Sequence, residues 1–104
     1  MAIHSINDPQ VSVNAEAAYR DLAKTTASSG RLVQAYTDEP EHTAQSAPEI
    51  AAALDQLMQW IETGKQPSPQ TVAAACKNLN VTLAGPCRYH PEFEPGGYAT
   101  LGAR

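Results

Sequence analysis

The sequence has no apolar run that approaches the ~20 residues needed to cross a bilayer. Its first residues lack the basic region and apolar core of a secretory signal, so we expect no signal peptide. Basic residues are scarce as well: 7 Lys and Arg stand against 11 Asp and Glu, a net charge of −4. That balance argues against nucleic acid and against an anionic membrane surface as partners. At 104 residues the chain suits one domain rather than two.

Cysteine is also scarce, and Cys76 and Cys87 are the only two. Their spacing is too long for a CxxC redox motif or a zinc half-site. A Gly-Pro turn just before Cys87 would allow the pair to close a small disulfide loop, which implies an oxidising compartment. Two free, semi-buried thiols are the alternative, and the sequence leaves both hypotheses open.

Two short segments rich in strand-forming residues, 1–6 and 31–36, each end in turn-like polar residues. Between them we expect a helix that is capped by Ser12 or Asn14 and followed by Gly30 in a left-handed C′ position. The apolar residues at helical spacing there are Ala15, Ala18, Tyr19, Leu22 and Ala23. A strand–helix–strand order makes the two strands parallel.

Parallel strands end at the same edge of their sheet, so we expect Asp8 and His42 to emerge side by side. Asp8 lies in the turn after the first strand, and His42 lies in the polar loop 37–43 after the second. Open α/β sheets keep their ligands and catalytic groups at this edge. Each residue also has an ordinary explanation: Asp8 would bond its own turn backbone, and His42 would belong to a solvated acidic loop. His4, within the first strand, is expected to be a packed, hydrogen-bonded side chain.

The strongest helical pattern covers residues 48–63. Ser46 and Glu49 fit a capping box at its start, and Gly64 ends it. Its apolar stripe, which we expect to be buried, consists of Ile50, Leu54, Leu57, Met58 and Ile61.

A second helix start follows at Ser68-Pro69, and this helix runs to about Asn78. Its apolar side comprises Val72, Ala75, Cys76 and Leu79. From Gly85 onward, proline and glycine predict an irregular tail. The predicted fold class is therefore α/β, with two parallel strands in βαβα order, an extra C-terminal helix and an irregular tail. Two parallel strands cannot cover both faces and edges of a sheet, so the pattern is typical of the end of a larger fold.

Three segments follow one another in the chain: HSINDPQV at 4–11, EHT at 41–43 and WIETGKQP at 60–67. Together they resemble the C-terminal part of α/β-hydrolase-fold serine esterases, with the tannase, feruloyl esterase and polyhydroxyalkanoate-depolymerase-like branches most similar. The first resembles the family motif HGxxDxxV, with Ser5 where glycine is usual. The second resembles the loop of the triad histidine, and the third resembles a W[IV]xxGxxP helix end. The resemblance covers roughly residues 2–67.

The resemblance implies that Asp8 is the acid and His42 the general base of a catalytic triad. The family nucleophile lies upstream in a GxSxG elbow, and this chain contains no GxSxG. We therefore expect a C-terminal fragment of a carboxylic-ester hydrolase that is inactive alone. Residues 1–67 would be the C-terminal segment of the hydrolase-like domain, and 68–104 a short helix and tail of the same domain.

The resemblance further implies a small-molecule ester substrate for the parent enzyme, no cofactor, and the missing N-terminal part of the fold as a partner. It favours an extracellular or periplasmic parent protein. A zinc site from Glu41, His42 and His90 would need ligands at irregular separations, which give no metal-binding signature. The alternative from a different functional class is a stand-alone small α/β interaction module without catalysis.

Overall fold

The structure, a computed structural model, describes residues 1–26 and 29–96. Its elements in chain order are β1 (Ala2–Ser5), α1 (Asn14–Lys24), a 3-10 turn (Ser29–Arg31), β2 (Gln34–Thr37), α2 (Ala47–Thr63) and α3 (Pro69–Leu79). The predicted α/β class with two parallel strands is confirmed. The part of the predicted tail at 97–104 lies outside the described residues. No helix within the described ranges is long and apolar enough to cross a membrane.

The two edges of the sheet differ. β1 and β2 pair in parallel over their full lengths, with Ala2 opposite Gln34. An antiparallel bridge from Thr37 to Tyr89 closes the far edge of β2. Within the part of the chain that the structure describes, no strand pairs with the outer edge of β1. The predicted irregular tail therefore pairs with the end of β2, whereas no described residue pairs with the outer edge of β1.

Helices cover the two faces of the sheet. On one face, Ala35 of β2 lies in a buried cluster contributed by α2 and α3: Ala52, Val72 and Cys76. On the other face, Gln34 donates hydrogen bonds to the backbone carbonyl and the carboxylate of Glu16 in α1. Because successive residues of a strand point to opposite faces, this alternation places α1 opposite α2 and α3.

The capping box predicted for α2 is confirmed. The Ser46 hydroxyl accepts from the Glu49 N–H, and the Glu49 carboxylate accepts from the Ser46 N–H. Gly64 ends the helix with φ of 72°, a left-handed conformation that costs a glycine little. Ser68 caps α3 in a similar way, and the predicted burial of Val72 and Cys76 in that helix is also confirmed.

The prediction for the buried side of α2 is wrong. The predicted stripe is mostly exposed, with side chains 46–71% accessible: Ile50, Leu54, Met58 and Ile61. The helix instead buries Glu49, Ala52 and Ala53. Small side chains allow α2 to pack against α3 and to place Ala52 in the cluster with Ala35, and the large apolar side chains lie on the outer side of the helix.

The predicted ends of α1 are also wrong, and of its predicted buried side only Ala23 is buried. Val13 occupies the N-cap position without a side-chain hydrogen bond, so neither Ser12 nor Asn14 is the cap. The helix ends at Lys24, where the Thr25 hydroxyl bonds the Leu22 carbonyl and competes with the helical backbone. Gly30 lies in the 3-10 turn rather than at a C′ position. Of the predicted apolar stripe, Tyr19 and Leu22 are exposed, whereas Ala17 and Ala23 are the buried residues.

Candidate functional site: an aspartate–histidine pair

The turn after β1 fixes the Asp8 carboxylate. Oδ1 of Asp8 accepts the backbone N–H groups of Gln10 at 2.8 Å and Val11 at 2.9 Å. This is the local turn bonding that aspartate often makes. It occupies one carboxylate oxygen and leaves Oδ2 to face the loop that follows β2. The side chain of Asp8 is only 3% exposed.

His42 lies in that loop and contacts the free oxygen. Its Nδ1 is 2.5 Å from Oδ2 of Asp8, and its side chain is 33% exposed. The structure thus brings together the two residues that the parallel-strand order places at one edge. The two roles considered for Asp8, bonding its own turn backbone and pairing with His42, are not alternatives, since Asp8 makes both sets of bonds.

The pKa of Asp8 indicates which atom of the pair carries the shared proton. Burial opposes ionisation of Asp8, but the hydrogen bonds from His42 and from the Val11 and Gln10 N–H groups lower its pKa to about 2. An ionised carboxylate only accepts hydrogen bonds, so Nδ1 of His42 must be the donor. In a neutral imidazole this leaves the lone pair on Nε2, which has no hydrogen-bond partner among the described residues. His42 is therefore oriented as a base that points away from Asp8.

His4 supports the turn from the other side. Its Nε2 donates to the Val11 carbonyl at 2.9 Å and lies 3.6 Å from Oδ2 of Asp8. Its Nδ1 is 3.3 Å from Oε1 of Glu16 in α1. The packed, hydrogen-bonded role expected for His4 agrees with these contacts, which link the Asp8 turn to α1.

The acidic loop is not simply solvated. Asp38 and Glu41 are exposed, but Glu39 is 1% exposed. The carboxylate of Glu39 accepts from the Thr37 hydroxyl at 2.8 Å and from the Gln45 side-chain amide at 3.0 Å. Burial raises the pKa of Glu39, opposed in part by the Thr37 hydrogen bond and by the charge of Arg88. The expectation of a solvated loop fails at this residue, because its side chain turns inward.

The backbone after His42 adopts a conformation that is unusual for its residue type. Thr43 has φ of 54°, which makes it the one non-glycine residue of the described chain with positive φ. A β-branched residue is a genuine outlier in this region, and such strain persists only where surrounding contacts hold it. The contacts that hold it here are those of the loop ends at Glu39 and at Ala44–Ser46, which involve Arg88 and Glu49.

Arg88 and the buried state of Glu49 were not predicted from the sequence. Glu49 is fully buried, and Nη2 of Arg88 lies 2.9 Å from its Oε1. Burial raises the pKa of Glu49, but the hydrogen bonds from Arg88 outweigh it, so the pKa is lowered overall. The capping-box pattern predicted that Glu49 lies in the first turn of α2, whereas no pattern in the predicted tail indicated a role for Arg88.

Other candidate chemistry does not converge on this site. The described ranges contain no group of three or more His, Cys, Asp or Glu side chains that could hold a metal ion. His90 is exposed, and its Nε2 lies 3.3 Å from Oδ2 of Asp38. The sulfurs of Cys76 and Cys87 are bonded to each other, which joins α3 to the segment that closes β2.

Searches with protein-family models, among curated proteins and among solved structures found no significant match to this chain. The chemistry of the site is therefore inferred from its own motifs and geometry.

Proposed function

We propose that this chain is the C-terminal part of an α/β-hydrolase-type serine esterase, in which Asp8 and His42 are the acid and base of the triad. The observation that supports this most directly is the 2.5 Å contact between Oδ2 of Asp8 and Nδ1 of His42. It occurs at the carboxyl edge of two parallel strands, where folds of this class keep their catalytic groups. The three motifs that resemble the family supply the remaining support.

The geometry suits the proton transfers of ester hydrolysis. Nε2 of His42 would take the serine proton as the serine oxygen attacks the ester carbonyl, and would pass that proton to the departing alcohol. In the second half of the reaction, Nε2 would take a proton from water as the water oxygen attacks the acyl group bound to the serine. It would then return the proton to the serine oxygen. Asp8 would stay ionised and stabilise the imidazolium in both halves. The substrate class is a carboxylic ester.

The nucleophile and the oxyanion donors would come from a segment outside this sequence, because the chain has no GxSxG motif. Two surfaces support such a completion. Among the described residues no strand pairs with the outer edge of β1, and the backbone of Ile3 faces this edge, since Ala2 and Ile6 direct their N–H groups to β2. The outer side of α2 exposes large apolar side chains next to Met1 and Ile3, around a shallow groove. A further strand with its covering helices would bury both surfaces.

A stand-alone interaction module remains the second candidate, and one group of contacts favours it. The chain has a buried cluster of its own around Val72, a disulfide from α3, and a closed outer edge on β2. In this function the Asp8–His42 pair would serve only to hold the turn and the loop together.

The test starts from the coding DNA upstream of the Met1 codon, translated in every frame. We expect a GxSxG motif there, and joining that segment to this chain should yield hydrolysis of p-nitrophenyl acetate or butyrate. Replacing the elbow serine by alanine is the control for background hydrolysis. Absence of the motif from every upstream frame would contradict the proposal and favour the interaction module. Hydrolysis that persists unchanged in His42→Ala would contradict the role of His42 as the base.

A further inference from the structure

Arg88 contacts both ends of the loop that carries His42. At the start of the loop, the Arg88 carbonyl accepts the Asp38 N–H at 3.0 Å. At its end, Nη2 of Arg88 donates to the Ala44 carbonyl at 3.0 Å. His42 and the left-handed Thr43 lie between these two points. One residue thus connects the two ends of the loop.

Glu49 holds Arg88 in place. The backbone N–H of Arg88 donates to Oε2 of Glu49 at 2.6 Å, its Nε donates to the same oxygen at 3.3 Å, and its Nη2 donates to Oε1 at 2.9 Å. Glu49 is fully buried, and its Oε1 also accepts the Ser46 N–H at 2.7 Å. A planar guanidinium matches a carboxylate at two points, which fixes its orientation as well as its distance.

Arg88 also faces a second buried carboxylate. Nη2 lies 3.9 Å from Oε2 of Glu39, and that oxygen has no hydrogen-bond partner among the described residues. The charged groups around Glu39 are Arg88, Glu49 and Asp38. Arg88 is the cation that faces both buried acids, so its removal would leave two carboxylates at the base of the loop without a counter-charge.

A covalent link sets the position of Arg88. The preceding residue, Cys87, is bonded to Cys76, which is fully buried in the core cluster with Val72. The segment around Arg88 is therefore attached to α3 on one side and to β2 on the other.

We propose that Arg88 is a positioning residue for His42: it ties the two ends of the loop together so that Nδ1 stays against Asp8, and the Cys76–Cys87 disulfide keeps Arg88 in place. The catalytic meaning of this arrangement rests on the proposed function. The arrangement itself can be measured in this chain alone, without any hydrolysis.

The measurement is the low-field proton resonance of the His42 Nδ1–H in the full ¹⁵N-labelled chain, assigned by its absence in His42→Gln. We expect Arg88→Gln and Arg88→Lys to abolish this resonance. Lysine keeps the charge but cannot reach both the Ala44 carbonyl and Glu49, so it should not rescue the signal. Arg31→Gln, which changes an exposed arginine, is the matched control and should leave the resonance unchanged. An unchanged resonance in both Arg88 variants would overturn the proposal.

Amide spectra of the same samples show whether each variant is folded. If Arg88→Gln does not fold, the Glu49→Gln variant tests the proposal instead. This substitution keeps a side-chain oxygen that can accept the Ser46 N–H, and it removes the charge that holds Arg88. Loss of the resonance in folded Glu49→Gln supports the proposal, and its retention overturns it. Reduction of the disulfide should also weaken the resonance, and a resonance that is insensitive to reduction would overturn the role given to Cys76 and Cys87.

These results separate the two proposals. A resonance that depends on Arg88, together with no hydrolysis in the joined protein, would refute the esterase and leave the positioning role intact. If the joined protein hydrolyses esters but the resonance is unchanged by substitution of Arg88, only the positioning role would be refuted.

Discussion

At the carboxyl edge of the sheet, both oxygens of Asp8 are hydrogen-bonded, and the loop of His42 is held at each end. On the outer side of α2, large apolar side chains such as Leu54 and Ile61 are 57% and 71% exposed. The first region satisfies nearly all of its polar groups from within this chain. The second leaves an exposed apolar surface, which the proposed parent domain would bury.

The difference between these two regions shows which interactions this chain completes by itself and which need further structure. Hydrogen bonds at the edge join residues that the β1–α1–β2 order already brings together, so a short chain can complete them. Burial of the outer side of α2 needs another layer of structure. In the proposed function, the acid–base pair is assembled in this chain and another segment completes the surrounding domain.

The largest expected effect is on catalysis in the joined protein. Asp8→Asn should lower kcat by about 10⁴-fold, because the amide no longer enforces the Nδ1–H tautomer of His42. His42→Ala should lower it at least as much, since no base remains. Rates of p-nitrophenyl ester hydrolysis measure both. Glu41→Gln, an exposed neighbour in the same loop, is the control, and an Asp8→Asn enzyme as active as this control would contradict the assignment.

The next largest effect is the cost of one substitution, which should differ between this chain alone and the joined protein. In this chain alone, Leu54→Ala should change the free energy of unfolding by no more than about 0.5 kcal/mol, because the side chain is exposed. In the joined protein it should cost roughly 2–5 kcal/mol, since the face would then be buried. Val72→Ala, in the buried cluster, should be destabilising in both contexts. Urea unfolding measures these values, and equal costs for Leu54→Ala in the two contexts would refute a covered face.

The pH dependence of stability should distinguish Asp8 from Glu39. The pKa of Asp8 is lowered from 3.8 to about 2, so its stabilising contribution is present above pH 3.8 and is lost as the pH falls towards 2. The pKa of Glu39 is raised above 4.5, so the folded state holds that proton more tightly and loses stability as the pH rises through this range.

Urea unfolding between pH 2 and 7 tests both signs. Asp8→Asn should flatten the loss of stability on the acid side, and Glu39→Gln should make the protein relatively more stable at neutral than at acid pH. Parallel profiles for the wild-type chain and both variants would contradict this account of the two acids.

The smallest effect concerns the strained residue beside His42. Thr43→Gly should change stability by less than about 1 kcal/mol, because relief of a left-handed conformation worth roughly 1–2 kcal/mol is offset by the entropy of glycine in the unfolded chain. Thr25→Gly, at a right-handed position with φ of −80°, gains no such relief and should be more destabilising. Thermal unfolding compares them, and a larger loss for Thr43→Gly would show that Thr43 is not strained.

Local rules predicted much of this structure. The capping box of α2 depends on residues three apart, the start of α3 follows from Ser68-Pro69, and strand order places Asp8 and His42 at the same edge. The buried side of α2 could not be predicted, because the helix packs on β2 and α3 through small residues rather than through its most apolar stripe. The role of Arg88 could not be predicted either, since its partners Ala44 and Glu49 are distant in sequence and no periodic pattern links them.

The contact with Asp8 should keep the proton of the His42 ring on Nδ1 and the lone pair on Nε2, which has no hydrogen-bond partner among the described residues. The ¹⁵N spectrum of the His42 imidazole in this chain, at a pH where the ring is neutral, tests this arrangement. This arrangement predicts a proton on Nδ1, an unprotonated Nε2, and loss of this preference in Asp8→Asn. A proton on Nε2 with Nδ1 bare would contradict it, because the lone pair would then face the Asp8 carboxylate and no base would be available for catalysis.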